Sequence, residues 1–165
     1  MDCAREDLRL VPTTESDRTY LARLNFLTDT FGDEFGSLPE DFDEWYNYYI
    51  GTWTPVDGGL IAWKGHVPAG GSWLLWGNEN YHGFGHVSDG VPELAIAVER
   101  RYAGHGIGPQ LIDGVSEIAR AAGAPGISLS VAATNERAHR LYLRMGFEPT
   151  GKVVHGHAVM LRRLA

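Results

Sequence analysis

Residues 93–147 constrain the fold most, because they read as strand, glycine-rich turn, helix, strand and helix, with a chemically loaded residue at each junction. The apolar strand E-L-A-I-A-V begins at Glu93 and runs into E-R-R-Y-A-G-H-G-I-G, ending at Gly108. An amphipathic helix follows over residues 109–122, then an apolar strand over 127–131 and a second helix over 136–145. A glycine turn between a strand and a helix gathers backbone N–H groups and a helix N-terminus at one point, which suits a pyrophosphate. A plain strand-to-helix turn satisfies the same pattern. Pro109, read at the first helical position, removes one donor from such a cradle.

Two nucleotide motifs fail on the letters. A dinucleotide fingerprint G-x-G-x-x-G begun at Gly104 meets Pro109 where glycine is required, and begun at Gly106 it meets Leu111. A P-loop needs Gly-Lys followed by Ser or Thr, and the chain has no such tripeptide.

What remains resembles the GCN5-related N-acetyltransferase superfamily. Its signature is a strand ending I-A-V, a turn of the type Y-R-G-x-G-I-G and a later N-x-x-A-x-x-L-Y-x-x-x-G-F. Here these stand as Ile96, Ala97 and Val98; as Tyr102, Ala103, Gly104, His105, Gly106, Ile107 and Gly108; and as Asn135, Ala138, Leu141, Tyr142, Gly146 and Phe147. Ala103 departs from the Gln or Arg that usually opens the turn, and Arg100, Arg101 and His105 are near enough in sequence to compensate. The resemblance implies an α/β fold, a mixed central sheet flanked by helices on both faces, whose splayed adjacent strands form an acetyl-CoA cleft. It implies acetyl-CoA as acyl donor, held by residues 96–98, residues 103–108 and Asn135, with direct transfer to an amine. It also implies that Tyr142 protonates the leaving thiolate, and homodimers are common among such proteins.

Strand alternation adds its own argument. Leu94, Ile96 and Val98 share one face, while Glu93, Ala95 and Ala97 share the other, a wall of small side chains with one carboxylate. Glu93 is the candidate general base, a surface position at the strand start being the alternative. Asn135 also fits a helix N-cap, and Tyr142 fits an ordinary core tyrosine on the face shared with Ala138, Leu141 and Met145.

The first half of the chain is where the resemblance places the acceptor pocket. Residues 1–60 hold thirteen Asp or Glu against four Arg, whereas residues 61–165 hold eight acids against ten Lys or Arg. Asp33, Glu34, Glu40, Asp41, Asp43 and Glu44 run with no base between them and would attract a cation. Glu34, Trp45 and Trp73 are the substrate candidates, although an aromatic stripe of Phe42, Trp45, Tyr46, Tyr49 and Trp53 at helical spacing also reads as core. The expected acceptor is a small cationic primary amine; a protein or peptide amine, or a non-catalytic acyl-CoA-binding module, are the alternatives. The net charge of −7 disfavours nucleic acid.

The remaining elements read as a strand at 8–12, a helix from about Glu15 capped by Thr14 and Asp17, strands at 59–64 and 72–76, and one closing strand at 152–164. A length of 165 residues fits one domain, 1–165. Its charged start and the lack of an apolar run near the roughly 20 residues of a membrane span predict neither signal peptide nor anchor, and a cytoplasmic protein. Cys3 cannot form an internal disulfide. His155 with His157, and His82 with His86, bring no third ligand at a recognised spacing, so no metal is expected.

Overall fold

The computed structural model describes residues 8–29 and 36–164. Glu34, and Cys3 with it, lies outside the described residues. Seven strands form one sheet: β1 Leu8–Pro12, β2 Gly59–Lys64, β3 Val67–Leu75, β4 Glu93–Val98, β5 Gly126–Ala132, β6 Glu148–Val154 and β7 His157–Arg163. They lie in the order β1-β2-β3-β4-β5-β7-β6. Neighbours are antiparallel except β4 and β5, which run parallel.

That parallel pair matters most. It registers at Glu93 with Ser128 and nowhere beyond, so the two strands part from Leu94 onward. The Glu99 N–H donates to Ala69 of β3, and alternation along an antiparallel ladder then turns the N–H groups of Ala97 and Ala95 the same way. Those of Ile96 and Val98 therefore face the gap beside β5.

Each sheet face is covered by helices with matching apolar faces. α3 (Ile107–Ala121) buries Leu111, Ile112, Val115 and Ala119 against Leu74, Leu94, Ile127 and Met160. α4 (Glu136–Arg144) lies on the same side through Ala138 and Tyr142. On the opposite side, α1 (Arg18–Asp29) buries Leu21, Leu24 and Leu27 with Ile50, Trp53, Ile61 and Trp73. Thr14 and Asp17 make the capping box that starts this segment, first as a 3₁₀ turn. No described helix is long and apolar enough to cross a membrane.

Four readings of the sequence need correction. β3 begins five residues earlier than expected, running through Pro68, Gly70 and Gly71; these glycines pass so close to neighbouring backbone that a Cβ on Gly70 would stand 2.7 Å from the Ala97 carbonyl oxygen. The aromatic stripe is not one helix: α2 (Phe42–Tyr46) widens into a π-type turn at Asn47–Gly51, and Trp53 follows outside it. Changing pitch turns Tyr48 and Ile50 inward and leaves Trp45 and Tyr49 toward the sheet end. The tail is a hairpin, folded at His155 and Gly156, whose φ angles are +48° and +76°. Pro109 is the third residue of α3, not the first.

Candidate active site

Where β4 and β5 part, a cleft of about 730 Å³ opens. Arg100, Ala103 and Arg137 line one end, Ile96, Val98, Val131, Asn135 and Tyr142 its middle, and Glu93, Tyr49, Trp45, Phe84 and the hairpin histidines the other. The sequence-derived candidates Ile96, Ala97, Val98, Ala103, Asn135, Tyr142, Glu93 and Trp45 are thus brought together.

At the first end the chain passes from Ala103 into exposed Gly104, His105 and Gly106. Gly104 and Gly106 adopt φ of +79° and +76°, a left-handed backbone that glycine enters without steric cost. Open space surrounds Gly106. The N–H groups of residues 104–106 meet no acceptor among the described residues, and those of Ile107 and Gly108 precede the first intrahelical bond of α3. Ile107 contributes main chain alone, since its side chain is in the core. Ala103 supplies no donor side chain, but Arg137 of α4 reaches across, its Nη2 4.0 Å from where a Cβ on Gly104 would stand. Neither Arg100 nor Arg137 has a carboxylate partner among the described residues. Nothing in the sequence spacing marked Arg137.

Asn135 serves both readings, because its Oδ1 caps α4 by accepting the Ala138 N–H at 3.3 Å and the residue also lines the cleft. Tyr142 packs its ring on Phe147 at 5.8 Å. No described residue hydrogen-bonds its hydroxyl, and burial pushes its pKa up to about 12.

Glu93 is 3% exposed, so it does not cap the strand at the surface. Its Oε2 accepts the Tyr49 hydroxyl at 2.6 Å, and Oε1 has no partner. Burial raises the carboxyl to about 7; the Tyr49 hydroxyl and the Gly85 N–H pull the other way without cancelling it. The Phe84 N–H donates to the Tyr49 hydroxyl at 3.0 Å, and Trp73 Nε1 donates to the Tyr49 carbonyl at 3.0 Å. Gly83 and Gly85 lie against this pair where any side chain would strike it. Tyr49, seen in the sequence as part of a stripe, is the partner that spacing could not reveal.

Trp73 is a correction. It is fully buried and holds Tyr49 from behind, and Trp76 is tied to Asp57, so neither lines the cleft. Among the described acidic residues of the first half, Asp41 lines it, whereas Glu40, Asp43 and Glu44 do not. His155 and His157 line the cleft and pack on Phe84. No group of three or more His, Cys, Asp or Glu that could hold a metal occurs among the described residues.

The cleft reaches the glycine turn at Ala103, beyond which residues 104–108 stand outside its lining with their amides free among the described residues, and such amides at a helix N-terminus suit a diphosphate. Solved structures share the architecture. PaiA N-acetyltransferase from Thermoplasma acidophilum in complex with coenzyme A is 15% identical, with a TM-score of 0.71, covering 96% of this chain and 99% of that one. YncA from Salmonella typhimurium with its cofactor acetyl-CoA is 17% identical at a TM-score of 0.65, covering 96% and 95%. A spermidine N-acetyltransferase SpeG chimera from Vibrio cholerae and hSSAT is 20% identical at 0.62, covering 94% and 95%. No curated protein sequence matches the chain. Residues 24–147 match the model of the acetyltransferase (GNAT) family, three quarters of the chain, and the protein belongs to that acetyl-CoA-dependent family of enzymes.

Proposed function

We propose that this enzyme transfers an acetyl group directly from acetyl-CoA to a small cationic primary amine, with Glu93 as base and Tyr142 as donor to the leaving sulfur. The carrying observation is the buried Oε1 of Glu93, unpartnered in a cleft that also reaches Arg100, Ala103 and Arg137 beside the glycine turn. Bound acetyl-CoA supplies an activated carbonyl and a thiolate leaving group. The turn N–H groups, Arg100 and Arg137 hold its diphosphate, and the N–H groups of Ile96 and Val98 fix the arm. A charged amine is drawn to the Glu93 carboxylate, and the apolar walls favour its neutral form. Glu93 takes one amine proton at Oε1 as nitrogen bonds to carbon and the carbon–sulfur bond breaks. Tyr142 keeps its proton at neutral pH and steadies the charge on the sulfur with a hydrogen bond; the thiolate takes up a proton from solvent as it leaves, and Glu93 gives its own proton back to solvent.

Trp45, Phe84, His155 and His157 wall the cleft near Glu93, and one fold neighbour acts on the small amine spermidine by its name. Thiol release from acetyl-CoA, followed against a panel of primary amines, tests the reading. Amine-dependent release with a mass gain of one acetyl group per amine is the expected result, and release that no amine accelerates defeats it.

A further inference from the structure

Resting on the acetyl-transfer reading, we infer that the acceptor end selects one primary amine carried on an aromatic body, an arylalkylamine, and discriminates against polyamines. The wall facing Glu93 is a continuous run of rings. Trp45 meets Phe84 edge-on at 4.4 Å, and Phe84 meets His157 at 5.0 Å and His155 at 5.2 Å. Offset and edge-to-face ring pairs of this kind extend naturally to one more ring.

A polyamine needs carboxylates at several points along its length. Glu93 and Asp41 are the carboxylates that line the cleft among the described residues. Glu93 is committed to the reacting nitrogen, and Asp41 Oδ2 already accepts Trp45 Nε1 at 2.9 Å. The distant end carries Arg100 and Arg137, which repel a second ammonium.

His155 is placed by the hairpin itself: with Gly156 it forms the two-residue turn, φ +48° and +76°, the left-handed pair that such a turn requires. That backbone turns its ring onto Phe84, and the His155 carbonyl in turn holds His157 Nδ1 at 3.0 Å. The two rings are therefore set by the hairpin and close the aromatic box.

The test compares thiol-release kinetics with acetyl-CoA for phenethylamine and tryptamine against putrescine and spermidine. The arylalkylamines are expected to exceed the polyamines in kcat/KM by about tenfold or more, and equal or better rates with spermidine would overturn the inference. Phe84→Leu should raise KM for phenethylamine by about tenfold with kcat little changed. Should Phe84→Leu melt, His155→Asn preserves the left-handed turn and is expected to raise the same KM; no rise in either variant that folds overturns the box. Calorimetry on Glu93→Gln with acetyl-CoA present decides the point without turnover. Saturable phenethylamine binding with none for spermidine supports it, and the reverse, or no phenethylamine binding, sinks it. Absent turnover with every amine defeats the transfer reading instead, while the calorimetric ranking still decides this one.

Discussion

Glu93 is the residue on which chemistry and stability pull in opposite directions. Its folded pKa of about 7 lies above the ordinary 4.5, so this group's own contribution to stability is fullest while it is protonated, below about pH 4.5. Stability declines as pH rises through about 7, by about 3 kcal/mol in total if the full shift is realised. The base proposed here works only when ionised, so activity is expected to rise over the same interval. Glu93→Gln is expected to lose about 10²–10⁴ in kcat and to abolish the rise of kcat/KM near pH 7. Denaturant melts of that variant should show no decline between pH 5 and pH 8 where the parent shows one. A variant that keeps both its rate and its pH profile would remove Glu93 as base.

The role proposed for Tyr142 is bounded by a mismatch. At about 12 its proton is held more tightly than a thiol with an ordinary pKa of about 8.5 would hold it, so complete transfer runs uphill and the hydrogen bond carries most of the effect. Tyr142→Phe should therefore cost about 10²-fold in kcat, the low end for acid catalysis, with little change in stability. Single-turnover kinetics checks it, and an unchanged chemical step removes the donor.

Among the elements, the segment 83–85 shows how a loop without regular structure positions a buried carboxylate. Gly85 packs so that a Cβ would stand 2.7 Å from the Leu129 carbonyl carbon and 2.9 Å from Glu93 Oε2. Gly83 instead meets the Tyr49 and Glu93 side chains, not backbone, at closest approach. Gly83→Ala is expected to fold, to shift the pair and to lower kcat by about 10²-fold, the usual consequence of a misplacement near 1 Å. Gly85→Ala, set against backbone, should lose stability as well. Comparing melting temperature with kcat for the two variants tests this division. At the other end, Gly104 and Gly106 adopt the left-handed backbone that glycine enters without steric cost, and Arg137 of α4 reaches the turn that Ala103 opens without a donor side chain.

For the whole molecule, a cofactor held in the proposed cleft should be a structural partner as well as a reactant, since that cleft joins β4, β5 and α4. Coenzyme A at about 100 times its dissociation constant adds about 2.7 kcal/mol, which for a domain of this length raises Tm by roughly 5–10 °C. Thermal melts with increasing coenzyme A measure it; no shift at millimolar concentration would contradict a preformed cradle.

The sequence by itself determined the strand, turn and helix order of residues 93–147, the two faces of β4 and the family, because period-two and period-3.6 patterns and glycine at left-handed positions are local properties. It also marked Glu93, Asn135 and Tyr142, whose places follow from their own strand or helix. Tertiary structure alone decided that Tyr49 bonds Glu93, that Arg137 meets the glycine turn, that Trp73 backs the site from the core, and that two histidines of the last hairpin face Phe84. Each of those relations joins segments far apart in the chain, and the splay of β4 from β5 that creates the cleft is a missing ladder between strands. Such contacts depend on how whole layers pack, and no spacing along the chain encodes them.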